Sequence, residues 1–251
     1  IHSPADLKGL STEELTDLAQ EIREFVVAAV DEAGSGHLGS NLGAVELTLA
    51  LHRVFDSPRD IILWDTGHQA YVHKILTGRQ AGFADLRKAG GLSGYPSREE
   101  SEHDWIENSH ASTVLSYAHG LAVAQESALG EGRRVIAVIG DGSMTGGMAY
   151  EGLNQGGALG SPMVVVLNDN GMSIAKPQGA VAAYFDKVRL SQTYAEFRKT
   201  AKEWSKHIWG GSTLRDLYHR MGEISKSMAH ENGWFEHFGL VTVGPVDGHD
   251  M

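Results

Sequence analysis

Three short apolar runs, separated by helical stretches, constrain the fold of this chain more than any other feature. They lie at residues 61–64, 135–139 and 163–167, and each is followed by polar or glycine-rich residues. Runs that are apolar throughout, without alternation, are typical of strands buried on both faces. Parallel strands need crossover connections, which the intervening helical patterns supply. The sequence therefore predicts an α/β fold with a mostly parallel sheet and helices on both faces.

The helical segments are predicted from periodicity and capping signals. Ser11 and Glu14 have capping-box spacing and begin an amphipathic helix that runs to about residue 32. Further helices are predicted at 42–54, 69–76, 112–129 and 144–159, two more between 192 and 230, and a last strand at 238–243. We expect one domain over residues 1–251, in which 171–237 forms a variable loop and helical excursion.

Composition excludes several classes of protein. Of the 251 residues, 41% are hydrophobic and 21% charged, which suits a globular protein with a sizeable core. No apolar run reaches the roughly 20 residues of a membrane helix, and the first residues do not resemble a secretory signal. The absence of cysteine excludes disulfides and thiolate metal ligands. A net charge of −11 argues against nucleic-acid or anionic-membrane partners, so an anionic cofactor would need a bound cation.

Polar residues follow two of the apolar runs at a spacing that suits a metal-bound diphosphate. Asp141 directly follows the second run, Asn170 follows the third, and 25 residues separate Gly142 from Asn168. Ligands of an open parallel sheet bind at the carboxyl ends of its strands. Taken singly, Gly-Asp-Gly also fits a plain turn and Asn-Asp-Asn a capping cluster. Their combination at two strand ends favours a binding site.

This site would hold Mg²⁺ through protein oxygens and phosphate through backbone amides. The Asp141 carboxylate, the Asn170 side-chain carbonyl and the Met172 backbone carbonyl are the predicted metal ligands. Mg²⁺ prefers such oxygens and shares its octahedral shell with phosphate and water. The amides of Gly142 and Ser143, at the start of the next helix, would face the remaining phosphate oxygens. The sequence therefore predicts a metal-anchored diphosphate cofactor.

Six ordered blocks resemble a known family, the 1-deoxy-D-xylulose 5-phosphate synthases, which are transketolase-like enzymes. The blocks are SGHLGS (35–40), DTGHQAY (65–71), GLSGYP (91–96), ESEHD (100–104), GDGSMTGGM (140–148) and GPVDGHD (244–250). The resemblance is dense over residues 1–174 and returns at 239. It implies the thiamine diphosphate-binding fold, with thiamine diphosphate and Mg²⁺ as cofactors.

The resemblance also implies roles for residues outside the metal site. His37 and His68 would be catalytic, lying over the thiazolium end of the cofactor, where imidazole can give or take a proton near working pH. His68 would also contact the cofactor. The other implied cofactor contacts are Ser109, His110, Ala111 and Gly140. The family usually has glycine at the position of Ser109.

The remaining conspicuous residues also fit ordinary structural roles. Glu151 resembles a glutamate near the family's subunit interface, although an ordinary exposed helical glutamate fits nearly as well. The remaining histidines considered are interpreted as surface or packing residues: His103, His207, His219, His230 and His237.

The family's reaction joins pyruvate to glyceraldehyde 3-phosphate with loss of CO₂. Its product, 1-deoxy-D-xylulose 5-phosphate, is a precursor for isoprenoid, thiamine and pyridoxal biosynthesis. The resemblance implies a thiamine diphosphate-dependent transferase that forms a homodimer in the bacterial cytoplasm or the plastid stroma.

Two features depart from the family pattern. AKPQGA at 175–180 replaces an acidic-Asn-Val-Gly-Ala pattern, and the chain stops at Met251, before the later domains that carry the cofactor-activating glutamate. We therefore expect the diphosphate-binding part of a longer enzyme, inactive alone. Two alternatives remain: a transketolase or its N-terminal subunit, and a non-catalytic cofactor-binding fragment.

Overall fold

The structure, a computed structural model, describes residues 1–127, 132–169, 179–183, 235–243 and 246–251. The chain divides into two compact units, Ile1–Asn170 with Gly244–Met251, and Gly171–Val243. The described strands and the described residues of the candidate site lie in the first unit. Asn170, Met172, residues 175–178 of the 175–180 loop and the two helices predicted between 192 and 230 lie outside the described residues.

The first unit is built on a parallel sheet of three described strands in the order β1-β2-β3. These are β1 (Ile61–Trp64), β2 (Val135–Gly140) and β3 (Met163–Asn168). Ile61 pairs with Val135, and Gly140 pairs with Asn168. β1 is buried throughout and β2 almost so, as expected for apolar runs in a covered sheet. The strands predicted at 61–64, 135–139 and 163–167 and their parallel arrangement are confirmed.

Six α-helices surround this sheet in the described part of the first unit. They are α1 (Thr12–Ala33), α2 (Leu38–Leu42), α3 (Val45–Val54), α4 (Tyr71–Lys74), α5 (Val114–Glu126) and α6 (Gly147–Leu159). The predicted capping box is present at α1: the Ser11 hydroxyl accepts the Glu14 N–H at 3.2 Å, and the Glu14 carboxylate accepts the Ser11 N–H at 2.8 Å. Gly34, with φ 65°, ends this helix in the left-handed conformation.

Helices cover both faces of the sheet. Leu51 of α3 lies in one apolar cluster with Ile62 and Trp64 of β1 and with Ile136 and Val138 of β2. Intervening strand residues face the other side, because side chains alternate along a strand. α5 contacts all three strands and packs against α6. A second apolar cluster joins α1, α3 and α4. The α/β prediction, with helices on both faces, is confirmed.

Several element boundaries differ from the predictions. The helix predicted at 42–54 is divided into α2 and α3 around Gly43 and Ala44. α4 passes into a π-type turn over Ile75–Arg79, in which Gly78 has φ 83°. A 3₁₀ turn, Ser143–Thr145, precedes α6. Each difference falls at an element end, where local sequence signals are weakest.

The strand predicted at 238–243 is wrong. Glu236–Phe238 forms a 3₁₀ turn, and residues 239–243 have no strand structure. Val241 and Val243 are 91% and 88% exposed. A strand needs a ladder partner, and this segment has none among the described residues. In the described part of the chain, no helix has the length and apolar character needed to cross a membrane.

Candidate active site

The ends of β2 and β3 are adjacent, as the two motifs predicted. Gly140 pairs with Asn168, and the Asp141 N–H donates to the Asn168 carbonyl at 3.4 Å. Asp141 is buried. The Asn168 Nδ2 group is also buried and finds no hydrogen-bond partner among the described residues. Because Asn170 and Met172 lie outside those residues, the complete metal-ligand set stays a prediction.

Ser112, which lies just before α5, holds the Gly142-Ser143 turn in place. The Ser112 hydroxyl donates to the Ser143 carbonyl at 2.6 Å, and the Gly146 N–H donates to the same carbonyl at 3.3 Å. A Cβ on Gly146 would lie 2.1 Å from the Ser112 Oγ. A side chain at position 146 would therefore displace Ser112 or the turn itself.

Asp65, which directly follows β1, anchors the start of α5. Its carboxylate accepts backbone N–H groups from Ser112, Thr113 and Val114, each at 3.0 Å. The first amides of a helix lack intrahelical partners, and their positive end favours a carboxylate. Ser112 has φ 70° and Thr66 φ 60°, conformations that cost energy in non-glycine residues. Asp65 and Ser112 therefore connect three segments: the turn after β1, the residues before α5 and the turn after β2.

His37 and His68 lie side by side, as the resemblance implied. Their ring centroids are 5.3 Å apart, with the ring planes at 78°. His37 directly precedes α2, and His68 lies in the turn between β1 and α4. The His68 Nδ1 atom is buried and has no hydrogen-bond partner among the described residues. This nitrogen therefore has hydrogen-bonding capacity to offer a ligand.

Both imidazoles are biased toward the neutral form. Burial lowers the pKa of His37, and the Arg87 charge lowers it further. Burial also lowers the pKa of His68, His37 adds to that effect, and the Asp65 carboxylate opposes it. A neutral imidazole carries one donor nitrogen and one acceptor nitrogen. The pair can therefore accept a proton or hold a substrate oxygen at neutral pH.

The segment Ser109-His110-Ala111 is exposed and lies beside the His68 turn. The Asn108 side-chain oxygen accepts the His110 N–H at 2.8 Å. The Asn108 carbonyl is 3.0 Å from the point where a Cβ on Gly67 would stand, and Gly67 has φ 79°. The structure therefore brings this predicted cofactor segment next to His68 and leaves its side chains accessible.

A largely buried cluster of ionisable groups, which we call the charged cluster, holds the loop of residues 93–97 beside His37 and His68. It comprises His52, His73, Lys74, Arg79, Glu100 and Asp104. The Asp104 carboxylate accepts from His73 at 2.9 Å, from Arg79 at 2.6 and 3.0 Å, and from the Ser97 N–H at 2.7 Å. The Glu100 carboxylate accepts a hydrogen bond from the Lys74 ammonium group and another from the Ser93 N–H, the latter at 2.7 Å.

Ser93 and Ser97 bracket Tyr95 and Pro96, so the charged cluster fixes those two residues. The Tyr95 ring lies 6.2 Å from the His37 ring, and the Pro96 Cδ would be 2.6 Å from a Cβ on Gly67. The loop thus forms a wall beside both histidines.

The charge state of the cluster follows from its contacts. Burial alone would raise the pKa of Asp104, but hydrogen bonds from His73 and Arg79 outweigh it and hold the pKa well below the usual range. Burial lowers the pKa of His52 and of His73. Lys74 pairs with Glu100, and Arg79 pairs with both Glu100 and Asp104, which limits the cost of burying these charges.

Comparison with known proteins identifies the family. The 1-deoxy-D-xylulose-5-phosphate synthase family profile matches residues 1–251. The chain belongs to this family. It is 55% identical to the 1-deoxy-D-xylulose-5-phosphate synthase of Frankia casuarinae and 54% identical to that of Mycobacterium tuberculosis, over 252 residues in each case. These alignments include 100% of this chain but 38% and 39% of the two relatives.

The synthase family is one of thiamine diphosphate-dependent transferases, and the site's residues fit that cofactor. Asp141, a buried carboxylate at the end of β2, is an oxygen ligand of the kind that Mg²⁺ prefers. Asn168 Nδ2 and His68 Nδ1 are buried polar atoms without partners among the described residues. Gly67 and Gly146 permit close backbone approach where a Cβ would collide with neighbours.

Sequence reasoning missed two contributors to this site. Asn41 is fully buried and bonds to the backbone of both histidines. Asp65 had a visible signal, a carboxylate directly after an apolar run, yet its bonds to α5 span 47 to 49 residues. His103, interpreted as a surface or packing residue, is partly buried and lies 2.8 Å from the Ser57 hydroxyl, in agreement with that interpretation.

Proposed function

We propose that a protein of the relatives' full length that carries this chain makes 1-deoxy-D-xylulose 5-phosphate. It would join pyruvate to glyceraldehyde 3-phosphate with release of CO₂. The observation that carries this proposal is the position of the His37–His68 pair: His68 lies in the turn after β1, at the same edge of the parallel sheet as Asp141 after β2. Identity of 54–55% to synthases over the entire chain supports the same reaction.

This chain would supply the metal and diphosphate end of the site. Asp141, Asn170 and the Met172 carbonyl would hold Mg²⁺, and the Gly142 and Ser143 amides would bind phosphate oxygens. Bound thiamine diphosphate would supply the electron sink for decarboxylation and carbon–carbon bond formation. The Asp65–Ser112–Ser143 contacts would keep the phosphate-binding turn in place during turnover.

His37 and His68 would act on substrate at the other end of the cofactor. As neutral imidazoles they can hold a carboxylate or keto oxygen of pyruvate through a ring N–H. The His68 Nδ1 atom, which has no hydrogen-bond partner among the described residues, can accept or return a proton at the acceptor's carbonyl oxygen. The wall loop that carries Tyr95 and Pro96 would exclude water from this pair.

We also propose that the protein is a homodimer of the bacterial cytoplasm or the plastid stroma. Glu151 lies exposed on α6, where the resemblance puts it near the interface. Large apolar residues are exposed nearby on α5 and α6: Tyr117, Val123, Met148 and Leu159. Apolar side chains concentrated on two packed helices support an interaction surface there.

Carbon dioxide release from carboxyl-labelled pyruvate tests the reaction. With the full-length protein, Mg²⁺ and thiamine diphosphate, we expect release that depends on glyceraldehyde 3-phosphate. The His68→Ala variant should lose at least about 100-fold in turnover, within the range for a general acid–base group. The exposed His237→Ala variant is the matched control. Consumption of xylulose 5-phosphate without CO₂ release from pyruvate would instead identify a transketolase, and cofactor binding without turnover would identify a non-catalytic protein.

A further inference from the structure

We propose that Asn41 is the positioning residue that sets the arrangement of His37 and His68. This inference rests on the proposed function, in which both histidines act on substrate. Asn41 lies in α2, four residues after His37, and is 0% exposed. Its side chain would act through the backbone of both histidines without touching substrate.

One amide group joins three segments of the site. The Asn41 Nδ2 donates to the His37 carbonyl at 2.7 Å and to the His68 carbonyl at 2.8 Å. The Asn41 Oδ1 accepts the Tyr71 N–H at 2.9 Å, at the first residue of α4. The residues before α2, the turn after β1 and the start of α4 therefore share one buried side chain.

Only an asparagine-like amide satisfies this arrangement. A primary amide has two N–H donors and a carbonyl acceptor, and all three functions are used here. An ionised aspartate has the same size and no donor, so it would face two carbonyl oxygens with a negative charge. Alanine would remove all three bonds. Because the site is buried, water cannot readily replace the lost partners.

The two backbone segments that carry His37 and His68 need the hydrogen bonds from Asn41. α2 has five residues, far shorter than the roughly 12–15 needed for an isolated helix to persist. His37, which precedes it, has φ −104° and ψ 70°, outside the helical region. On the other side, Thr66 and Gly67 are consecutive left-handed residues before His68, at φ 60° and 79°. Neither segment holds its histidine by regular secondary structure, and Asn41 bonds to both.

The experiment compares Asn41→Asp and Asn41→Ala with wild type in the full-length protein. Asn154→Asp, the same change at an exposed position on α6, is the matched control. Three readouts are measured: kcat and KM for pyruvate, calorimetric affinity for thiamine diphosphate with Mg²⁺, and the NMR positions of the His37 and His68 Cε1–H signals, assigned with single histidine variants.

We expect both Asn41 variants to lose at least tenfold in kcat while cofactor affinity stays within threefold of wild type. Both histidine signals should shift, and Asn154→Asp should change nothing. A kcat within twofold of wild type would overturn the proposal, as would a loss of kcat with unshifted histidine signals. Should Asn41→Asp not fold, Asn41→Ala decides by the same criteria.

The single variants His37→Ala and His68→Ala separate this inference from the proposed function. If both keep wild-type turnover, the catalytic role of the histidines fails. If they lose turnover but the Asn41 variants do not, the positioning role alone fails.

Discussion

Replacement of Asp65 by asparagine should loosen the start of α5 and weaken cofactor binding. Asp65 is 4% exposed, and its two carboxylate oxygens accept three backbone N–H groups. An asparagine keeps the size but turns one oxygen into an N–H₂ group. At least one N–H of Ser112, Thr113 or Val114 would then face a donor in a buried site.

The expected loss of stability follows from these contacts. A hydrogen bond to a charged group contributes about 1.5–3 kcal/mol, and a buried donor left unpaired costs about 1–3 kcal/mol. With some relaxation, we expect the free energy of unfolding to fall by about 3 kcal/mol. For a domain of this size, each kcal/mol lowers the melting temperature by about 2–4 °C. The melting temperature should therefore fall by ~6–12 °C.

Asp60 gives a matched control at the opposite end of β1. It is also 4% exposed and accepts backbone N–H groups from Asp56 and Arg134 at 2.9 and 3.1 Å. Asp60→Asn should lower the melting temperature similarly without changing affinity for thiamine diphosphate and Mg²⁺. Asp65→Asn should lower affinity at least tenfold as well, because Ser112 holds the Ser143 turn. Equal cofactor affinities in the two variants would refute the proposed link from Asp65 to the phosphate turn.

Two further predictions follow from close packing and from burial. Gly146→Ala should reduce calorimetric affinity for the cofactor at least tenfold, because the new Cβ would lie 2.1 Å from the Ser112 Oγ. Gly147→Ala is the control and should keep its affinity, since a Cβ there would have no neighbouring atom within 4 Å. Equal losses of affinity in the two variants would contradict this prediction. Burial lowers the folded-state pKa of His52 and His73, so the unfolded chain binds more protons below its ordinary histidine pKa of about 6.5. The contribution of these two histidines to the free energy of unfolding should therefore be constant above that pH. Below it, the free energy of unfolding should fall by up to ~1.4 kcal/mol per pH unit for each histidine. Urea midpoints between pH 7.5 and 5 measure the effect, and unchanged midpoints would count against neutral buried histidines.

The sheet could be predicted because each strand is an uninterrupted apolar run with a turn signal after it. Residues 61–64 were predicted and formed as β1, and β2 and β3 each extend one residue beyond the predicted end. The predicted strand at 238–243 failed because a short apolar segment alone does not supply a ladder partner. Short apolar patterns indicate what a segment can form, and tertiary contacts decide whether it does.

The site was predictable only where local sequence carries the chemistry. Asp141 and the histidines lie in glycine-flanked turns, so pattern and resemblance could both find them. Asn41 has no such signal, since its contacts with His68 and Tyr71 are 27 and 30 residues away. His73 looks like an ordinary helical histidine until the fold buries it beside Asp104. Long-range hydrogen bonds of this kind follow from the fold and not from spacing.

Calorimetric titration of the full-length protein with thiamine diphosphate, with and without Mg²⁺, tests the central claim most directly. Wild type should bind only when the metal is present, because the diphosphate is proposed to reach Asp141 through the cation. Asp141→Ala should abolish binding, and Asp31→Ala, at an exposed position of α1, should leave it unchanged. Metal-independent binding, or wild-type affinity in Asp141→Ala, would contradict the proposed site.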